Sequence, residues 1–255
     1  MTRDEVLALL DALERGEVRA AERDPSGRWT PNRAVKEGIL FAFRLGIETD
    51  FEAGTLLFRD RDTLPPRRPL PEGVRVVPGG TAIRRGAFLA KGVVVMPPAY
   101  VNVGAYVDEG SMIDSHALVG SCAQVGKRVH LSAAAQVGGV LEPVGAVPVV
   151  LEDDVFVGGG VGIYEGVCVR RRAVLASGVV LTGSTAVFDL VKERELRASA
   201  GAPLEIPEGA VVVPGTRSAP GAWATARGPS VAAPVIVKYR DERTDAKTTL
   251  EAALR

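Results

Sequence analysis

Few side chains in this sequence could carry chemistry, and their spacing limits what they could do. His116 and His130 are the only imidazoles, so a three-histidine metal site cannot be built within one chain. Cys122 and Cys168 are far apart in sequence and lack any metal-ligand spacing. Asp114 and His116 stand two residues apart. A carboxylate can take part in proton transfer, and an imidazole is the side chain best poised for it near neutral pH. Arg75 offers a planar fork suited to a carboxylate. Bland roles stand beside these, because an Asp just after an inward Ile can simply cap a corner and an Arg in a linker is commonly solvated. The run Gly158 to Gly162 resembles a phosphate loop only superficially. It does not sit between a strand and a long helix, and the dinucleotide fingerprint is not met. Arg170, Arg171 and Arg172 could hold phosphates, but a charged, exposed corner is the preferred reading.

The whole chain bounds what positions these groups. It has 255 residues, 46% of them hydrophobic, which suffices for a real core and excludes intrinsic disorder. Thirty-one basic residues balance thirty-one acidic ones, so no global field draws the chain to nucleic acid or an anionic membrane. No apolar run approaches the roughly 18 residues of a membrane helix. The N-terminus is charged at once, and with two cysteines and no signal core the expectation is a cytoplasmic protein. Aromatics are 5% against 29 Gly and 17 Pro, which points to many tight turns around a core of small aliphatic side chains.

That core is written as a repeat. Steps of six from Ile83 reach Leu89, Val95, Val101, Val107, Ile113, Val119, Val125, Leu131 and Val137 without a break. Four residues after each of the first nine comes a small or β-branched residue, from Ala87 to Ala135. After an insertion near residues 138–152 the register resumes two positions out of phase at Val157, Ile163, Val169, Leu175, Leu181 and Val187. A period of six fits neither a helix nor a half-buried strand, but it fits short strands that turn a corner every six residues. Three corners close a triangle, and sixteen repeats give a little over five coils.

The flanks read differently. Thr2 and Glu5 form a capping box for a first helix stopped near Gly16, Asp24 to Gly27 looks like a hairpin turn, and Thr30 and Pro31 read as the start of a second helix ending at Gly46. LPPRRPLP, residues 64–71, reads as a linker. These signals divide the chain into a helical N-terminal domain with linker (1–72), the prism (73–215, with insertions near 138–152 and 189–205) and a C-terminal segment (216–255). That segment holds a short strand at Val235 to Val237 and a closing helix from Ala246 to Leu254.

The motifs Gly73-Val-Arg-Val-Val-Pro78, Arg85-Gly-Ala-Phe88, Tyr100-Val-Asn-Val-Gly-Ala-Tyr-Val-Asp-Glu-Gly110, Val119-Gly-Ser-Cys-Ala-Gln124, Gly138-Gly-Val-Leu-Glu-Pro143 and Asp245-Ala-Lys-Thr248 resemble those of the tetrahydrodipicolinate N-succinyltransferases, hexapeptide-repeat acyltransferases. The resemblance implies a mainly β fold, a left-handed parallel β-helix, with a small helical N-terminal domain and a short C-terminal strand and helix. It also implies a homotrimer, with succinyl-coenzyme A as co-substrate in the groove between subunits and no permanently bound cofactor or metal. The implied reaction joins the succinyl group to the amine of ring-opened tetrahydrodipicolinate, in lysine and diaminopimelate biosynthesis. By the same resemblance Asp114 is a candidate catalytic group and Arg75, Asp114 and Glu142 bind substrate, while His116 is a second catalytic candidate on its own chemistry and not by the resemblance. Ser177, Gly178, Pro214, Gly215 and Lys238 bind coenzyme A.

The sequence also departs from the family pattern. After Phe156 the family carries an arginine and, two residues on, an active-site carboxylate, where this chain has Gly160 and Gly162. Glu165 aligns with a different family glutamate, and His116 replaces a tryptophan. These changes favour, as an alternative, a related N-acyltransferase with another amino-acid acceptor or an acetyl donor. A non-catalytic hexapeptide scaffold is the other alternative, and the retained Arg75 and Asp114 speak against it.

Overall fold

The computed structural model describes residues 1–53, 56–199 and 201–241. In it the six-residue register becomes a three-sided prism of parallel sheets. Each wall strand is mostly two residues long, and residues 18 apart pair along a wall: Ile83 with Val101, Val101 with Val119, Val119 with Val137. The first face stacks Val76, Val95, Ile113, Leu131, Val157, Leu175 and Val212 inward. The second stacks Ile83, Val101, Val119, Val137, Ile163 and Leu181, and the third Leu89, Val107, Val125, Leu151, Val169 and Ile206. Nearly all of them are buried in one continuous core. Corners take a left-handed residue, glycine at Gly86, Gly92, Gly104 and Gly110 but His116, Cys122, Arg128 and Ala134 further up. Each non-glycine there costs about 1–2 kcal/mol, which the ladder bonds and the aliphatic column must offset.

The prism is longer than the sequence count of a little over five coils. Its faces carry seven, six and six rungs, which at about 4.8 Å per rung gives roughly 30 Å. The insertion ends sooner than the sequence suggests. Val150–Leu151 is a strand, and Leu151, six residues before Val157, lies in register beside Val125. Likewise 189–205 is not all insertion. Val187–Asp189 pairs with Arg194–Leu196 as a hairpin, and Glu205–Ile206 rejoins the third face.

Helix α1, Arg3–Glu14, has the expected reciprocal capping box. The expected turn joins Ala21–Arg23 to Trp29–Pro31, with Asp24 Oδ1 accepting from the backbone N–H of Ser26 and Arg28. The start of the second helix is corrected. Thr30 and Pro31 finish a strand, and Asn32 caps helix α2, Arg33–Leu45, by accepting from Val35 N–H at 3.2 Å, a role for which an Asn side chain is well suited. A hairpin of Glu48–Ala53 with Leu56–Arg61 has no counterpart in the sequence reading. Residues 64–71 are free of helix and strand apart from one bridge, Pro66 to Arg84. Val235–Tyr239 widens the first face beside Ala210–Val213, and the expected helix at 246–254 lies outside the described residues. Among the described residues no helix is long and apolar enough to cross a membrane.

The N-terminal elements clamp onto the prism. Val6, Leu10, Leu13 and Ile39 share a core with Val103 and Cys122. Lys36 is fully buried, and its Nζ donates to the carbonyls of Pro143 at 3.1 Å and Ala146 at 2.8 Å, tying α2 to the insertion. Burial lowers the proton affinity of this lysine.

Candidate active site

The chain crosses the faces in the order first, second, third, so every passage from first to second face adds one corner to a single prism edge. Backbone bonds stack these corners: Ala134 N–H to Ser115 O at 2.8 Å, Gly160 N–H to Ala133 O at 3.0 Å, Gly178 N–H to Gly159 O at 3.1 Å. Asp114, His116, Ser177, Gly178 and Pro214 all stand on this edge, an arrangement that 18-residue pairing produces and that sequence distance hides.

Asp114 is half-buried, and its Oδ1 accepts from Ser115 N–H at 2.7 Å. The corner-capping role is therefore real, but it occupies one carboxylate oxygen. Oδ2 has no hydrogen bond among the described residues and remains available to an ammonium. His116, left-handed at φ 62°, is exposed. It borders a cleft of about 430 Å³ whose wall includes Pro98, Tyr100, Leu118 and Gln136. Gln136 Nε2 donates to the His116 carbonyl at 3.2 Å, and no hydrogen bond joins Asp114 to His116 among the described residues.

Ser177 and Gly178 form an exposed corner three rungs above Asp114, roughly 14 Å along the edge. The corners between them are Ala133–Ala134 and Gly159–Gly160, with no side chain larger than a methyl, and a Cβ on Gly160 would touch nothing within 4 Å. The edge between Asp114 and Ser177 is thus a smooth track. Above it Pro214 lies 3.9 Å from the Cβ position of Gly178, while a Cβ on Gly215 would meet Ala233 O at 2.6 Å. Only glycine fits there.

Other candidates lie elsewhere. Arg75 is exposed on the first face and has no partner among the described residues. Lys238 pairs with Asp241 at 3.2 Å, on the strand opposite Val211 and back from the edge. Glu142, exposed in the insertion, and Glu165, accepting from Gly183 N–H at 2.9 Å, both belong to the second-to-third edge. The width of the second face separates them from Asp114. Arg170 is held by Glu152 at 2.8 Å and Glu205 at 2.6 Å on the third-to-first edge, so it is not free for phosphates on the track. Cys122 and Cys168 are buried, which pushes both thiols up to about 12.

The sequence reading missed Tyr164. A Cβ on Gly162 would approach its ring to 2.6 Å and its hydroxyl to 2.9 Å, so Tyr164 fills the space that a side chain at 162 would use. The signal was present as a bulky residue two positions beyond an unusual wall glycine.

The comparisons with known proteins agree with this architecture. Residues 1–45 match the family model for the N-terminal region of tetrahydrodipicolinate N-succinyltransferase, and residues 148–183 match that for the hexapeptide repeat of succinyl-transferase. A 2,3,4,5-tetrahydropyridine-2,6-dicarboxylate N-succinyltransferase of Rhodopseudomonas palustris (strain BisB5) is 48% identical over 99% of this chain and 90% of its own length. The protein of that name from Nitrobacter hamburgensis is 44% identical, with the same shares covered. The fold is that of a hexapeptide-repeat acyltransferase. The chain belongs to the tetrahydrodipicolinate N-succinyltransferase family.

Proposed function

We propose that this chain is a cytoplasmic enzyme of lysine and diaminopimelate biosynthesis, transferring succinyl from succinyl-coenzyme A to the amine of tetrahydrodipicolinate in its ring-opened form, 2-amino-6-oxopimelate. The observation that carries this reading is the edge itself. It has Asp114 with one carboxylate oxygen unbonded among the described residues at one end, the exposed Ser177–Gly178 corner and Pro214 at the other, and a track without bulky side chains between them. The pantetheine arm lies along Ala133–Ala134 and Gly159–Gly160, and its thioester reaches Asp114. The substrate ammonium binds Asp114 Oδ2 and gives up a proton, and the amine nitrogen attacks the thioester carbonyl. A C–N bond forms and the C–S bond breaks; of the two protons the nitrogen loses between ammonium and amide, one passes to the departing thiolate, releasing coenzyme A as its thiol, and the other goes to solvent. His116, exposed beside the cleft, is the second group able to move a proton there, and Arg75 takes a substrate carboxylate.

The assembly is a trimer of left-handed prisms. Tyr100, Leu118 and Val180 leave the second face partly exposed, a surface that a second copy covers. Docking there brings the Glu142 edge of one copy against the Asp114 edge of the next and completes the site with a second carboxylate. Tyr164 over Gly162 supports a second reading, in which the acceptor pocket suits a different amino acid.

Coenzyme A release tests the proposal. With succinyl-coenzyme A and 2-aminopimelate, a stable acceptor of the right charge pattern, release is expected to be stoichiometric with N-succinyl product. Faster release with acetyl-coenzyme A or with another amino acid would select the second reading. No release with any donor would leave only a scaffold.

A further inference from the structure

A hollow of about 440 Å³ lies on the third-to-first edge, between the hairpin of residues 21–31 and the prism. At its wall the Arg19 guanidinium stacks 3.6 Å above the Tyr106 ring, and its Nε donates to Gln124 Oε1 at 2.9 Å. Its two terminal nitrogens have no hydrogen-bond partner among the described residues. The cation is clamped, its fork is open, and burial lowers its proton affinity while Tyr106 and Asp108 oppose that. A guanidinium so placed seeks a carboxylate or phosphate.

The other charges narrow the choice. Arg23 is bound to Glu152 at 2.6 Å and Lys127 lies 3.6 Å from Glu109. That leaves Arg19 and Arg171 facing the carboxylates of Glu22, Asp108 and Asp153 in the lining. Asp108 and Asp153 each use one oxygen on a backbone N–H, from Glu109 at 2.8 Å and Lys127 at 3.0 Å. A simple anion meets three carboxylates here and a simple cation meets Arg19 and Arg171, so the lining suits a molecule that carries both signs.

We propose that this hollow binds a small α-amino acid, its carboxylate on the Arg19 fork, its ammonium against Asp108 and Asp153, and its side chain along Trp29. No residue of the Asp114 edge takes part, so the inference is independent of the acyl-transfer reading.

Titration calorimetry on the full chain with L-lysine, L-alanine, succinate and inorganic phosphate tests it. At least one of the two amino acids is expected to bind saturably below about 1 mM. Arg19→Met should weaken that binding roughly tenfold or more through loss of a charge-assisted pair. Asp108→Asn, which keeps the side-chain shape, should weaken it without touching Arg19, so the inference stays testable if Arg19→Met fails to fold. Asp114→Asn should leave it unchanged. The inference is overturned if neither amino acid saturates by about 10 mM, if succinate or phosphate binds as tightly, if both Arg19→Met and Asp108→Asn bind like wild type, or if Asp114→Asn abolishes the signal.

Discussion

Replacing Asp114 with asparagine is expected to lower turnover by about 10²- to 10⁴-fold, the usual loss when a positioned general base is removed. The corner should survive, because an asparagine Oδ1 still accepts from Ser115 N–H, the one hydrogen bond the carboxylate makes among the described residues. What disappears is the negative charge at Oδ2, to which the proposal assigns the ammonium and its proton. Acyl-coenzyme A binding, which the proposal assigns to Ser177, Gly178 and Pro214 three and four rungs away, should be nearly unchanged when titrated directly. Wild-type turnover in Asp114→Asn would mean that the amine loses its proton to another group, with Asp114 only a corner cap.

Ile113→Asp, one residue earlier in the chain, is expected to abolish folding. Ile113 is fully buried and points into the prism, paired on either side with Val95 and Leu131. The interior is aliphatic along its length, so a carboxylate placed there has no partner, and burying it costs several kcal/mol. That is a large part of the about 5–15 kcal/mol by which folded domains outlast their unfolded chains. Ile113→Val, by contrast, should cost about 0.5–1.5 kcal/mol. Circular dichroism and thermal melting would separate the two, and a soluble, cooperatively melting Ile113→Asp protein would show that the inward register is misassigned.

Much of the fold was legible because each inward position carries one kind of residue at one spacing, and a six-residue stride admits few geometries. Legibility failed where an insertion broke the phase. Val150–Leu151 and Glu205–Ile206 are rungs only because their three-dimensional neighbours, Val125 and Val169, place them so. Thr30-Pro31 imitated a helix start, but Pro31 instead lies opposite Ala21 at the end of a hairpin. In Leu56–Arg61 the apolar side chains of Leu56, Leu57 and Phe58 are all exposed, so no alternation marked that strand. The site divides in the same way. Asp114 and the Ser177–Gly178 corner are candidates that the family resemblance implies, but their sharing one edge, and the absence of Glu142 from it, follow from which face each corner leaves. Arg19 gave no signal at all, since its neighbours Tyr106 and Gln124 come from the prism.

In the proposed trimer the site is built from two edges supplied by neighbouring copies, Asp114 from one and Glu142 from the other. Subunit mixing tests it most directly. Asp114→Asn and Glu142→Gln are each purified, shown to lose activity, dissociated together and reassembled. A shared site in a ring of three regains roughly a quarter of wild-type turnover on random assortment of equal amounts, because one interface in four then pairs two intact edges. Turnover no greater than the average of the two parents, in reassembled mixed trimers of the correct mass, would contradict the account and place both carboxylates in the work of a single chain.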